Sequence, residues 1–196
     1  MLSKTIGNVI VHFEPLIIFG GLIAIILLVQ MARSIIIEKR FTNVYKNLIA
    51  GKYDDVIEIG ANLLYSYKKY NARLSTKPIT NRIEYLNFAL SVSYFAKFDD
   101  DQFLSHINAL IVSLDVKEFW LSLYYLRRDD FDSFQSHYAN IKVSDETLLN
   151  RTYLESIRLY MRNQYDLAKM KMMGIYTDLK HPVLKQIADE VLKSEN

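Results

Sequence analysis

Hydrophobic and polar residues follow two different patterns along this chain. From Pro15 to Ala32, PLIIFGGLIAIILLVQMA, eighteen residues pass without a charge. Apolar side chains at 17–19, 22–23 and 25–29 cover every side of a helix instead of one stripe. The run predicts a membrane-spanning helix, because the hydrocarbon core of a bilayer takes about 20 residues at ~1.5 Å each. Beyond Phe41 the pattern changes to stripes. Leu86, Ala89, Leu90, Ser93 and Tyr94 recur at three-and-four spacing, as do Phe119, Leu123 and Leu126, and then Leu154, Ile157, Tyr160 and Met161. No alternating strand pattern survives a count, so the predicted class is all-α.

Start and stop signals divide this second part. Asn81 with Glu84, and Asp115 with Glu118, have the capping-box spacing, and Ser144-Asp145 opens another helix. The stretch Leu74 to Thr80, with Pro78 among small polar residues, predicts a loop between helices. Pro182 suits the first turn of a last helix that carries Val183, Leu184, Ile187, Val191 and Leu192 on one side.

One feature recurs: an aromatic followed by Asp after an apolar, helix-like run. It appears at Tyr53-Asp54, Phe98-Asp99, Phe131-Asp132 and Tyr165-Asp166, at separations of 45, 33 and 34 residues. A spacing near 34 is that of a repeated helix-turn-helix. On these residues the chain resembles the tetratricopeptide repeat family from Phe41 to Leu179. Gly51-Lys52-Tyr53-Asp54 matches that family's turn, and Tyr165-Asp166-Leu167-Ala168 keeps its aromatic and its small residue. Val56 and Phe134 stand where the small residue is expected. The resemblance implies an α-solenoid of helical hairpins with an extended concave surface for a protein partner, and a buried role for Tyr53 and Tyr165.

The expected layout is therefore a short N-terminal segment over 1–14, a transmembrane helix over 15–32 and a basic juxtamembrane segment over 33–40. Helical repeats follow over 41–179, and a C-terminal capping helix over 180–196. A cleaved signal peptide is the competing reading of the span. Its leader carries one lysine and Glu14, and its only cleavage site ends at Ala32, which favours an uncleaved anchor. Lys4 precedes the span, whereas Arg33, Lys39, Arg40 and Lys46 follow it, so the large domain is expected in the cytoplasm. Gly20 and Ala24 have the small-xxx-small spacing that would let two such helices dimerise. His12 and Glu14 are read as interfacial.

Charge and chemistry narrow the function. From Arg33 to Lys77 nine basic residues face four acidic ones, a net +5, and the remainder from Pro78 carries −3. The basic half adjoins the membrane, where it serves either anionic lipid or simple positive-inside retention. The near-neutral whole has no nucleic-acid module. Without cysteine there are no disulfides and no thiolate metal sites. No phosphate loop, nucleophile elbow or metal-binding histidine pair occurs, and His12, His106, His137 and His181 fall in separate elements. Asp99-Asp100-Asp101 and the set Asp129, Asp130 and Asp132 lack calcium-loop spacing and read as helix-start charges. No cofactor, metal or catalytic residue is assigned.

The many tyrosines and late methionines fill an inter-helix core or line a partner groove. Met170 and Met173 are expected to face inward, and Tyr138 and Met172 are the candidate partner-binding residues. The expected function is a noncatalytic scaffold that recruits a protein at the cytoplasmic face of a membrane. The alternative is an extracytoplasmic helper of secretion or envelope assembly. An enzyme with an unrecognised helical site stands third.

Overall fold

The structure, a computed structural model, describes residues 2–71, 77–111 and 114–194, with side chains from Gly21 onward except those of residues 70 and 71. All described secondary structure is helical. The helices are α1 (Leu2–Ile49), α2 (Tyr53–Asn71), α3 (Lys77–Ala96), α4 (Asp100–Asn108), α5 (Leu114–Arg127), α6 (Phe131–Asn140), α7 (Asp145–Met161), α8 (Tyr165–Ile175) and α9 (Pro182–Lys193), with a 3-10 turn at Tyr176–Asp178. Two compact units result, residues 1–42 and 43–196.

The first unit is helical from Leu2 on. The part of α1 with described side chains, Gly21–Ile49, carries an apolar run none of which is buried, so one helix is long and apolar enough to cross a membrane. The span, the basic segment and the first helix of the second unit were expected as separate elements, yet all belong to α1. Residues 33–42 contain neither Gly nor Pro, so nothing in the sequence ends the helix. The expected roles of His12 and Glu14, and most of the loop from Leu74, lie outside the described side chains and residues. Lys77 to Thr80 already belong to α3.

The second unit pairs α3 with α4, α5 with α6 and α7 with α8 as hairpins, and α2 packs on α3. One turn geometry closes four helices. Gly51, Phe98, Asp129 and Asn163 have φ of 71°, 62°, 57° and 59°. The next amide in each turn donates to a carbonyl five residues back: Lys52 to Asn47, Asp99 to Tyr94, Asp130 to Tyr125 and Gln164 to Leu159, at 2.9 to 3.1 Å. This is the left-handed C-terminal stop that satisfies orphan carbonyls. Asp99 and Asp130 then cap the following helices, accepting from the amides of Gln102 at 3.2 Å and Ser133 at 3.0 Å.

These turns correct the register read from the aromatic-Asp pairs. Phe98 occupies the left-handed position that Gly51 holds in the first turn, and Asp100 stands where Tyr53 does. Counted between turn residues, the spacings are 47, 31 and 34. The fifth residue after each turn residue is Val56, Phe103, Phe134 or Ala168, and all four are buried. The ninth is Gly60, Ile107, Tyr138 or Met172, again buried in each case. Tyr53 and Tyr165 are only half-buried, because they sit on the helix flank beside this buried stripe.

The core is an aromatic chain through α3, α4, α5 and α7. Phe95 meets Phe103 at 5.4 Å and Trp120 at 5.3 Å, Phe103 meets Tyr124 at 5.1 Å, and Phe119 meets Tyr153 at 6.0 Å. Pro182 opens α9 as expected. Ser144 precedes α7, its amide donating to Thr147 Oγ1 at 3.1 Å. The two expected capping boxes do other work. Asn81 and Glu84 lie inside α3, and Asp115 lies in the first turn of α5. Glu84 accepts from the Ile111 amide at 2.8 Å and Asp115 from the Lys142 amide at 3.2 Å, so each carboxylate, on the first helix of a hairpin, holds the chain where it leaves that same hairpin.

Candidate functional site

Three features of the second unit have functional geometry. The first is the inner face made by α3, α5 and α7, which α9 covers. Tyr153 Oη donates to Leu184 O at 3.1 Å, His181 stands edge-on to Trp120 at 5.7 Å, and Tyr176 Oη donates to Asp189 Oδ1 at 2.7 Å. The fit leaves a cavity of about 210 Å³ lined chiefly by Phe95, Leu123, Arg127, Ile157, Ile187 and Val191, with Glu190 at its edge.

Arg127 is the cation of that cavity. Its Nη1 donates to Phe95 O at 3.0 Å, and its guanidinium lies 3.9 Å from the Phe95 ring centroid and 4.4 Å from that of Phe98. Asp100 sits 3.8 Å from its Nη2 and also pairs with Arg128. Burial pulls the Arg127 pKa below the ordinary guanidinium value. Asp99 and Asp130 thus serve as helix caps and Asp100 as an arginine partner. No group of three or more His, Asp or Glu among the described residues is placed to hold a metal ion.

The second feature is a clasp that occurs twice. In one hairpin Tyr94 stacks on His106, whose Nδ1 is 3.1 Å from Asn87 Oδ1. In the next, Tyr125 stacks on His137, whose Nδ1 is 2.7 Å from Glu118 Oε2. Burial, and then Lys68, lower the His106 pKa. Both imidazoles join the two helices of their own hairpin.

The third feature is the outer stripe of α8. Met170 and Met173, expected to face inward, are 63% and 62% exposed, and Leu167 beside them is also exposed. The phase of α8 is set by Ala168 and Met172, which pack inside the hairpin. Met172 is 0% exposed and Tyr138 is 9%, so neither candidate partner residue presents its side chain to a groove. Tyr138 Oη donates to Glu155 Oε1 at 2.7 Å beneath the Arg151 guanidinium. Burial and that carboxylate push its pKa up to about 12. Lys171, donating at 2.9 Å, holds Glu155 below the usual carboxylate range.

Set against models of known protein families, curated proteins and solved structures, the chain matches none.

Proposed function

We propose that this protein is a single-pass membrane protein whose second unit is a noncatalytic, tetratricopeptide-like scaffold that recruits a protein partner beside the bilayer. The observation that carries this reading is the wholly exposed apolar window of α1 preceding a unit of helical hairpins. Apolar surface left in water costs about 25 cal/mol per Å², so a window this long calls for lipid around it. Four turns with one hydrogen-bond pattern and one buried register support the repeat reading. Because α9 covers the inner face, a partner is offered the outer stripe of α8, one of the exposed apolar surfaces, where methionines adapt to varied shapes. Arg33, Lys39, Arg40 and Lys46 support a cytoplasmic second unit.

Sidedness and anchoring are tested together in a chain that has no native cysteine. Gln164→Cys, in the exposed turn before α8, is exposed to a membrane-impermeant maleimide in intact cells, and the membranes are then washed with alkali. Labelling only after lysis, with the protein retained in the washed membranes, supports the proposal. Labelling of intact cells gives the extracytoplasmic-helper reading, and release by alkali defeats the anchor.

A further inference from the structure

The second unit has two chemically different ends. At one lie the four turns; Lys97 pairs there with Asp54, and Arg127 reaches Phe95 O, joining successive turns across the unit. At the other lie the described residues that follow α4 and α6. Tyr45, near the start of this unit, meets Tyr85 at 6.2 Å, and the neighbouring Glu84 holds the Ile111 amide. Asp115 in turn holds the Lys142 amide. The chain therefore enters this unit at the same end as residues 109–111, which follow α4, and 141–144, which follow α6.

That end is apolar where loop tips are ordinarily polar. Val143 is 84% exposed and Ile111 77%, and Leu114 and Leu148 are exposed beside them. Scattered exposed apolar residues need no explanation, but here Ile111 and Val143 lie on the connections after α4 and α6, and Leu114 and Leu148 in the first turns of the helices that follow, all at one end of the unit. The amides of Ile111 and Lys142 are already satisfied by carboxylates of the same unit. A loop whose amides are satisfied internally approaches a low-dielectric surface without leaving those donors unpaired. Lys77, Lys117 and Lys142 stand at this end together with Asp145 and Glu146, so its charge is mixed.

We infer that this end of the second unit is a peripheral bilayer contact, with Ile111, Leu114, Val143 and Leu148 dipping into the headgroup and upper acyl region. The inference rests on the membrane-anchor reading. Residues 33–42 join the apolar run to this unit, ten residues that reach about 15 Å as the helix they form and about 35 Å fully extended. The end through which the chain enters is thereby held near the bilayer surface. Insertion is apolar in origin, so mixed charge leaves it insensitive to anionic lipid.

The full chain is tested in vesicles carrying phosphatidylcholine spin-labelled on its acyl chain, with single cysteines at Ile111, Val143, Gln164 or Ile26 bearing an environment-sensitive fluorophore. The expected result is strong quenching at Ile26, Ile111 and Val143, none at Gln164, and no change when phosphatidylglycerol is added. If Ile26 is quenched while Ile111 and Val143 match Gln164, the contact is wrong and the anchor stands. If Gln164 is quenched as strongly as the loops, the contact is not confined to this end and the inference fails. An unquenched Ile26 overturns the anchor and the contact with it.

Discussion

Tyr125 and His137 lie face to face, ring centroids 5.2 Å apart and planes 6° from parallel, and the same contact joins Tyr94 to His106, 31 residues earlier, at 5.6 Å and 4°. The residues around each pair correspond at the same interval: Glu84 and Asp115, Asn87 and Glu118, Asp99 and Asp130, Phe103 and Phe134, Ile111 and Lys142. Two hairpins are thus built to one plan, with a ring stack in the middle and a carboxylate-held amide at the loop.

The clasp contributes coupling, not only burial. A double-mutant cycle on Tyr125→Leu and His137→Leu is expected to give about 0.5–1.5 kcal/mol of interaction free energy, as stacked rings do. His137→Leu alone should cost more than His106→Leu, because His137 is bonded to a carboxylate whereas His106 faces an amide oxygen. Urea unfolding of the detergent-solubilised chain reads both. Strict additivity would reduce the stack to two independent burials.

The buried register makes a second expectation. Phe103→Ala and Phe134→Ala should each cost about 3–5 kcal/mol, the range for a core aromatic. Tyr53→Ala and Tyr165→Ala should cost clearly less, because those rings are half-exposed. Equal losses in the two pairs would mean that the half-buried tyrosines carry contacts beyond their area.

The helical class, the apolar run, the final helix at Pro182 and the start at Ser144 were legible because periodicity and capping are local signals. The hairpin register was not. An aromatic before Asp occurs both at a turn, as in Phe98-Asp99, and inside a first helical turn, as in Phe131-Asp132, so the pairs do not mark equivalent positions. A better signal was present in Phe103-Leu104-Ser105-His106 and Phe134-Gln135-Ser136-His137, which repeat the buried Phe and the clasping His. Helix phase failed at α8, where methionines at 170, 172 and 173 fit either face and only Ala168 against the core decides. Arg127 and Glu190 meet at one cavity through tertiary packing of α5 with α9, and no local pattern carries that.

Gly51 is set by backbone conformation and not by space. A Cβ there would meet Pro182 Cβ and Tyr53 Oη at an ordinary 3.7 Å, but φ is +71°. Gly51→Ala should therefore cost about 1–2 kcal/mol. Gly51→Asn should recover much of the loss, since Asn163 holds the equivalent place in the last turn. Calorimetry of the three proteins decides it, and an unchanged melting temperature for Gly51→Ala would show that the turn relaxes out of the left-handed region.

His181 gives the pH dependence. Neither ring nitrogen has a hydrogen-bond partner, and burial against Trp120 holds the imidazole down to about 4 from its ordinary 6.5. The unfolded chain takes up a proton near 6.5 and the folded one only near 4, so acid favours unfolding across that window. The contribution is complete above about 6.5 and is lost progressively towards 4, about 3 kcal/mol at most. His181→Phe keeps a ring against Trp120 and removes the titration, while His106, also lowered by burial, stays in both proteins. Urea midpoints measured near neutral pH and again near pH 5 should fall further in the native protein than in the variant. Parallel falls would mean that His181 reaches solvent and that α9 lifts from the inner face before the rest of the unit opens.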